Sequence, residues 1–268
     1  MSRTTPEKLY KYYDAETAIN HVLGEGTLKW SNPFDFNDPF DNQFELNLDK
    51  ITDEDIEKIL DETFAPSLLA KPEHRLYLKG GIIEGVERGT VNFYSEFREQ
   101  FINEMSRTCI LCLTETNDNL LMWSHYAKHH TGVVVEFSKK ESDTPLPLAK
   151  PVCYTKTLPK VKMEGFFRKL NPSAKKQTYL DEIIQLHTYT KSIEWAYERE
   201  YRIVSAGGGG VRSFFREDVD AVYMGCRISG NNKRKIIKIL TRDYPFAKLF
   251  QASKSSKEFA LIFDQIPI

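Results

Sequence analysis

Nowhere in this 268-residue chain does an apolar run reach the ~20 residues a membrane-spanning helix needs. The opening MSRTTPEKLYKYYDAE also lacks the apolar core of a secretion signal. Cysteine is scarce: Cys109, Cys112, Cys153 and Cys226 are too few to staple a domain of this size. Reduced thiols and a soluble, cytoplasmic protein, with no membrane partner, are therefore expected. An excess of charge of either sign is missing too. A formal net charge of −1 supplies no bulk field toward nucleic acid or an anionic membrane, leaving only local basic patches to provide one. No internal repeat and no linker divides the chain.

What is present is an ordinary globular mixture, 41% hydrophobic and 28% charged, long enough for a substantial core. KLYKYY (8–13) has the composition of a strand, and DAETAINHVLGEG reads as a helix with Asp14 as N-cap and Gly24 or Gly26 as its stop. TLKWS (27–31) is a second strand. TDEDIEKILDETF and VNFYSEFREQFINEM are helices, the latter with Phe93, Phe97, Phe101 and Met105 on one stripe. RTCILCLTE is a strand, NDNLLMWSHYAKHHTG (117–132) a capped helix, and VVVEF a buried strand. A long helix is expected over about 176–196, then strands in YEREYRIV, VRSFF and DAVYMGCRI, a helix in NNKRKIIKIL, and closing strands in FAKLFQA and EFALIF. This pattern predicts one α+β domain over 1–268, with a mostly antiparallel sheet core, flanking helices and a mostly helical insertion at 45–106.

Four stretches concentrate chemistry. In WSNPFDFNDPFD (30–41), SNP and NDP are turn signals, with Phe34, Phe36 and Phe40 expected to turn inward. The plainer reading is a well-anchored surface loop. The sharper one has Asn37, Asp38 and Asp41 lining a polar site. A cation site from Asp35, Asp38 and Asp41 would use carboxylates, but the spacing matches no loop signature. In MWSHYAKHH, His125 and His129 share a helix face, yet Tyr126 stands where a metalloprotease has its glutamate. Packing with Trp123 and Tyr126 is favoured over metal binding. CILC reads as two structural cysteines in a strand, and GGGG (207–210) as a hairpin connection rather than a phosphate cradle. In EWAYEREYRIV, Glu198, Glu200 and Arg202 alternate onto one strand face, an acidic pair beside a cation. A solvated edge strand would also hold them, but two carboxylates on one face repel without a cation, a ligand or a shared proton.

Taken in order, LYKY, GTLKWSNPFDFNDPFD, CLTETNDNLLMWSHYAKHHTGVVVEF, EWAYEREYRIV and VYMGCRI resemble a widespread bacterial family known as domain of unknown function 2971. The resemblance runs over nearly the whole chain. It implies a shared fold and a role for the FNDPFD loop rather than a reaction.

The order of elements is also similar, more distantly, to ADP-ribosyltransferases, which carry an Arg or His on a first strand, Ser/Thr or Tyr on a second, and a late Glu-x-Glu. That likeness implies NAD as substrate. Lys11 or Tyr10 would meet the nicotinamide ribose or the diphosphate, Ser31 would position the ribose, and Glu200, beside Glu198, would stabilise an oxocarbenium-like transition state. Tyr126 or the loop aromatics would stack on nicotinamide. The chain departs from the pattern at its first position, where lysine lacks the planar fork that grips a diphosphate. An alternative from another class is a metal-dependent effector acting on nucleic acid, for instance in phage defence. It would use Asp38, Asp41, His125 and Glu198, with NNKRKIIK and KMEGFFRK on phosphates. A third is a small-ligand binding module without chemistry.

Overall fold

The computed structural model describes residues 6–46, 53–87, 93–138, 144–161 and 183–268. Its strands, in chain order, are β1 (Lys8–Tyr13), β2 (Thr27–Trp30), β3 (Glu45–Leu46), β4 (Thr108–Thr114), β5 (Val133–Ser138), β6 (Lys150–Pro151) and β7 (Cys153–Thr155). They continue with β8 (Lys160–Val161), β9 (Thr190–Ser192), β10 (Glu200–Ala206), β11 (Gly210–Ser213), β12 (Val219–Met224), β13 (Lys248–Lys254) and β14 (Leu261–Ile266). Eight of them form one sheet in the order β14-β13-β12-β5-β1-β4-β10-β6. All its neighbours are antiparallel except β12 and β13, whose parallel pairing needs a crossover helix between them.

Residue alternation explains both faces of this sheet. Leu9 and Tyr13 of β1, Val133, Val135 and Phe137 of β5, Val222 and Leu249 pack on one side. Two helical segments cover them: Ala15–Thr17 (α1), which runs on as a π-helical stretch Ala18–Glu25, and the crossover helix Gly230–Asp243 (here α7). Asp14 caps the first by accepting from the Glu16 and Thr17 amides, and Gly26, at φ +71°, ends it in the left-handed conformation a Cβ disfavours. On the opposite side Tyr12, Val134, Ala221 and Tyr223 meet Met122, Trp123 and Ala127 from the short helix α6 (Leu120–His125) and the turn after it. The segment between β3 and β4 is helical where described: α2 (Asp53–Thr63), α3 (Pro66–Leu69), α4 (Pro72–Glu87) and α5 (Phe93–Arg107).

Several local expectations fail for identifiable reasons. The helix expected over 117–132 stops at His125, because Lys128, His129 and His130 all adopt positive φ (46°, 57° and 66°). Each costs about 1–2 kcal/mol for an L-residue. Backbone contacts hold the turn: the His130 carbonyl accepts from Arg227 N, and the Gly132 carbonyl from Gly225 N. His125 and His129 therefore do not share a helical face. Of the helix expected at about 176–196, residues 183–188 are helical, and the chain then passes into β9 and a 3₁₀ turn, Ile193–Glu198, that Ser192 caps; residues 176–182 and KMEGFFRK lie outside the described residues. The glycine run is not a hairpin connection. It carries the chain from β10 in the main sheet to β11, which pairs with β2 in a separate ribbon.

Candidate active site

The main sheet is nearly unzipped between β1 and β4. Their only paired position is Tyr10 opposite Thr114, whereas β4 pairs with β10 over seven positions. Further along the same edge of β4, Ser31 takes the place of a β1 residue and exchanges two backbone hydrogen bonds with Ile110. Between these points the Cys112 carbonyl accepts instead from Lys11 Nζ, at 2.7 Å. A cavity of about 280 Å³ opens at this seam. Tyr10, Lys11, Ser31, Asn37, Tyr126 and a group of buried charges line it.

Those charges form a cage. Arg202, fully buried on β10, donates to Asp41 through both terminal nitrogens (Nη1 to Oδ1 3.0 Å, Nη2 to Oδ2 2.6 Å) and to Glu200 through Nε (2.8 Å) and Nη2 (3.1 Å). A planar fork suits this double engagement as a lysine could not. Lys191, on β9, bridges Glu198 (2.6 Å) and Glu200 (3.1 Å). Tyr126 donates to the other oxygen of Glu198 at 2.5 Å. Arg199, left-handed at φ 45°, explains why both glutamates reach one ammonium although Glu198 lies before the strand: the kink, rather than strand alternation, brings it round. Neighbours brace the pair, with Thr114 donating to the Glu198 carbonyl and the Glu200 amide to the Tyr154 hydroxyl. The FNDPFD loop delivers Asp41. Asn32 clips that loop down by donating to the carbonyls of Met105, Ser106 and Thr108, and Phe36 lies under the Arg202 guanidinium at 5.1 Å.

The two glutamates are driven in opposite directions. Burial works against the charge of Glu200, but Arg202 and Lys191 outweigh it and hold the carboxyl at about 2. For Glu198 burial dominates, and with repulsion from Glu200 it lifts the carboxyl above its ordinary value despite the pull of Lys191. Four carboxylates (Asp35, Asp41, Glu198, Glu200) line the cavity against three cations (Lys11, Lys191, Arg202), so a fully ionised cavity is one charge negative. Burial also lowers Lys11 and raises Tyr126 and the Cys112 thiol, while burial and Glu136 push Tyr10 up to about 12.

Of the residues the sequence nominates, Tyr10, Lys11, Ser31, Asn37, Asp41, Tyr126, Glu198, Glu200 and Arg202 line this cavity. Three do not. Asp38 is buried in the loop, where it accepts from the Phe40 amide. Trp123 is buried beneath the site, edge-on to Tyr12 and stacked on His130, with its indole N–H on the Asn117 carbonyl. His125 faces an adjoining surface cleft with Asp14, Lys128 and His129, which shares only Tyr126 with the cavity. Phe34 and Phe40 point to solvent, so only Phe36 of the three loop phenylalanines meets the cage. Sequence reasoning missed Lys191, hidden inside an expected helix, and Cys112, read only as structural filler. The unpaired negative surplus of Glu198, Glu200 and Asp41 was the available signal that another cation had to arrive. Among the described residues, no group of three or more His, Cys, Asp or Glu side chains is arranged to hold a metal ion. No helix among them is long and apolar enough to cross a membrane.

Residues 122–203 match the family model described as "Protein of unknown function (DUF2971)". That segment carries Tyr126, Lys191, Glu198, Glu200 and Arg202, while Lys11, Ser31 and Asp41 join the cavity from outside it. No curated protein and no solved structure matches the chain.

Proposed function

We propose that the seam cavity is an active site for N-glycosidic bond chemistry on NAD, in the manner of an ADP-ribosyltransferase. One observation carries the reading. Two carboxyl groups two residues apart, at the floor of one open cavity, are pushed in opposite directions from their ordinary value. Such separation marks one carboxyl for proton transfer and leaves its neighbour a permanent anion.

Breaking the bond between nicotinamide and C1′ of its ribose leaves positive charge on the sugar. A cavity with one surplus negative charge, held by Arg202 and Lys191 before any ligand arrives, favours that charge without reorganising. Glu200 is the fixed anion. Arg202 and Lys191 occupy three of its roughly four acceptor positions, and the fourth, on Oε1, is suited to the ribose 2′-hydroxyl, which would compete there with the hydrogen bond the Cys112 thiol makes to this carboxylate. The Glu198–Tyr126 pair carries the mobile proton, taking it from the incoming hydroxyl of an acceptor or water. Lys11 and Ser31, at the seam, hold the ribose and its phosphate. Tyr10 and Tyr126 supply the aromatic walls for nicotinamide.

Nicotinamide release from NAD by the purified protein, with cell extract as a source of acceptors, tests this directly. Glu198→Gln and Tyr126→Phe should each slow release by about 10²-fold or more, the usual contribution of a positioned proton-transfer group. Absence of both release and NAD binding overturns the proposal. So does a Glu198→Gln protein that releases nicotinamide at the wild-type rate.

A further inference from the structure

A second cavity, of about 550 Å³, lies at the tip of the β13–β14 hairpin and shares none of its lining residues with the seam cavity. That volume falls in the range of ~300–1,000 Å³ typical of small-molecule sites. Three cations line it: Arg227, Lys254 and Lys257, against a single carboxylate, Glu258. None of the three cations makes an ion pair among the described residues; Arg227 reaches only the His129 carbonyl, at 3.5 Å. Like charges gathered in one concavity repel, so the arrangement favours an anion more strongly than scattered surface lysines do. Phe259 adds an aromatic face, and its side chain is fully exposed at the tip, whereas Phe250 and Phe263 pack on Tyr223, one stacked and one edge-on.

The back wall is built with unusual constraint. His130 lines the cavity in a left-handed conformation, its ring stacked on Trp123 and its Nδ1 buried without a hydrogen-bond partner. Gly225 lets the neighbouring strand end pass so close that a Cβ there would stand 2.1 Å from the His130 carbonyl oxygen. A strained histidine with one buried ring nitrogen unsatisfied, held by a glycine contact, is a position the rest of the fold maintains against its own cost.

We infer that this cavity binds a nucleotide, its phosphates on Arg227, Lys254 and Lys257 and its base against Phe259. The site is independent of the chemistry proposed for the seam. The probe is trinitrophenyl-ATP fluorescence, with ATP and inorganic pyrophosphate as competitors, on the full chain.

Saturable binding is expected, displaced by both competitors and weakened at low ionic strength by at least about tenfold in Arg227→Glu and in a Lys254→Glu/Lys257→Glu double variant. Phe259→Ala should weaken the nucleotide several-fold and leave pyrophosphate competition unchanged, separating base from phosphate contacts. These side chains are exposed, so the variants should keep the wild-type unfolding midpoint and whatever nicotinamide release the wild type shows. Absence of saturable binding, or binding indifferent to the charge reversals, overturns the inference. Binding that survives them but is lost in Tyr126→Phe or Lys11→Met assigns the nucleotide to the seam cavity and overturns it equally.

Discussion

Glu198 and Glu200 differ by two positions and are equally buried, yet replacing them should have opposite consequences. Gln at position 200 keeps one acceptor oxygen where Glu200 offered two, and turns an amide N–H₂ toward donors from Arg202 or Lys191. Holding the carboxyl at about 2 rather than its ordinary 4.5 corresponds to roughly 3 kcal/mol of native-state preference. Glu200→Gln should therefore lose about 3 kcal/mol at pH 7.5 in equilibrium urea unfolding, or about 6–10 °C in Tm. Gln at position 198 instead accepts from Lys191 with its oxygen and donates to the Tyr126 hydroxyl with its amide, so both contacts survive.

The pH dependences carry the sign. A depressed carboxyl stabilises above its unfolded value and loses that contribution as pH falls, so the wild-type advantage over Glu200→Gln should shrink between about pH 4.5 and 2. A raised carboxyl does the reverse: the wild type loses stability as pH climbs past the ordinary 4.5, and Glu198→Gln lacks that loss. Glu198→Gln should therefore equal or exceed the wild type at pH 7.5, with the gain vanishing in acid. Equal destabilisation by the two substitutions, or a loss below about 1 kcal/mol for Glu200→Gln, would refute this account of the cage.

Lys191→Met leaves Asp41, Glu198 and Glu200 facing Arg202 alone, and should cost about 3–5 kcal/mol in the same assay. Gly132→Ala and Gly225→Ala each place a Cβ 2.1 Å from a backbone oxygen, so both should lose about 2–4 kcal/mol or fail to fold. Gly80→Ala and Gly81→Ala, in open space on α4, should gain about 0.5–1 kcal/mol each. His187 lies fully buried between Phe44 and Phe101, with the Gln43 backbone nearby but no partner in hydrogen-bonding geometry, and burial holds its ring at about 4. The wild type should lose about 3 kcal/mol as pH falls from 6.5 through 4, and His187→Leu should remove that slope, as read by urea unfolding across the window.

The elements themselves were legible where residue pattern and cap chemistry agree. VVVEFS is mostly apolar and forms a strand buried on both faces; Asp14 and Gly26 bracket the first helical segment, one through its carboxylate and the other through its left-handed backbone. The charged cage was half legible. Glu198, Glu200 and Arg202 stand close in sequence and advertise mutual need, whereas Lys191 arrives because the helix ends at 188, short of its expected end, and gives way to a strand and a 3₁₀ turn. Its role depends on a tertiary contact that no local propensity encodes. The short α6 was illegible for a similar reason. Helical periodicity continues through KHHTG, and only the close approach of Gly132 to Tyr13 and of Gly225 to His130 forces the chain into left-handed backbone there. His125 was consequently assigned to a site it does not reach.

The seam between β1 and β4 has a mechanical meaning. One paired position joins a five-strand block, β14 to β1, to a three-strand block, β4 to β6. Most sheets resist bending across their strands because every rung of the ladder must give way together. Here nearly all the rungs have been left out along one line, and a lysine side chain stands in for a missing one. The eight strands are thus arranged as two leaves of a book with a short spine. Lys11 and Tyr10 belong to one leaf, and Glu200 and Arg202 to the other, so the separation of the leaves sets the width available to whatever lies between them.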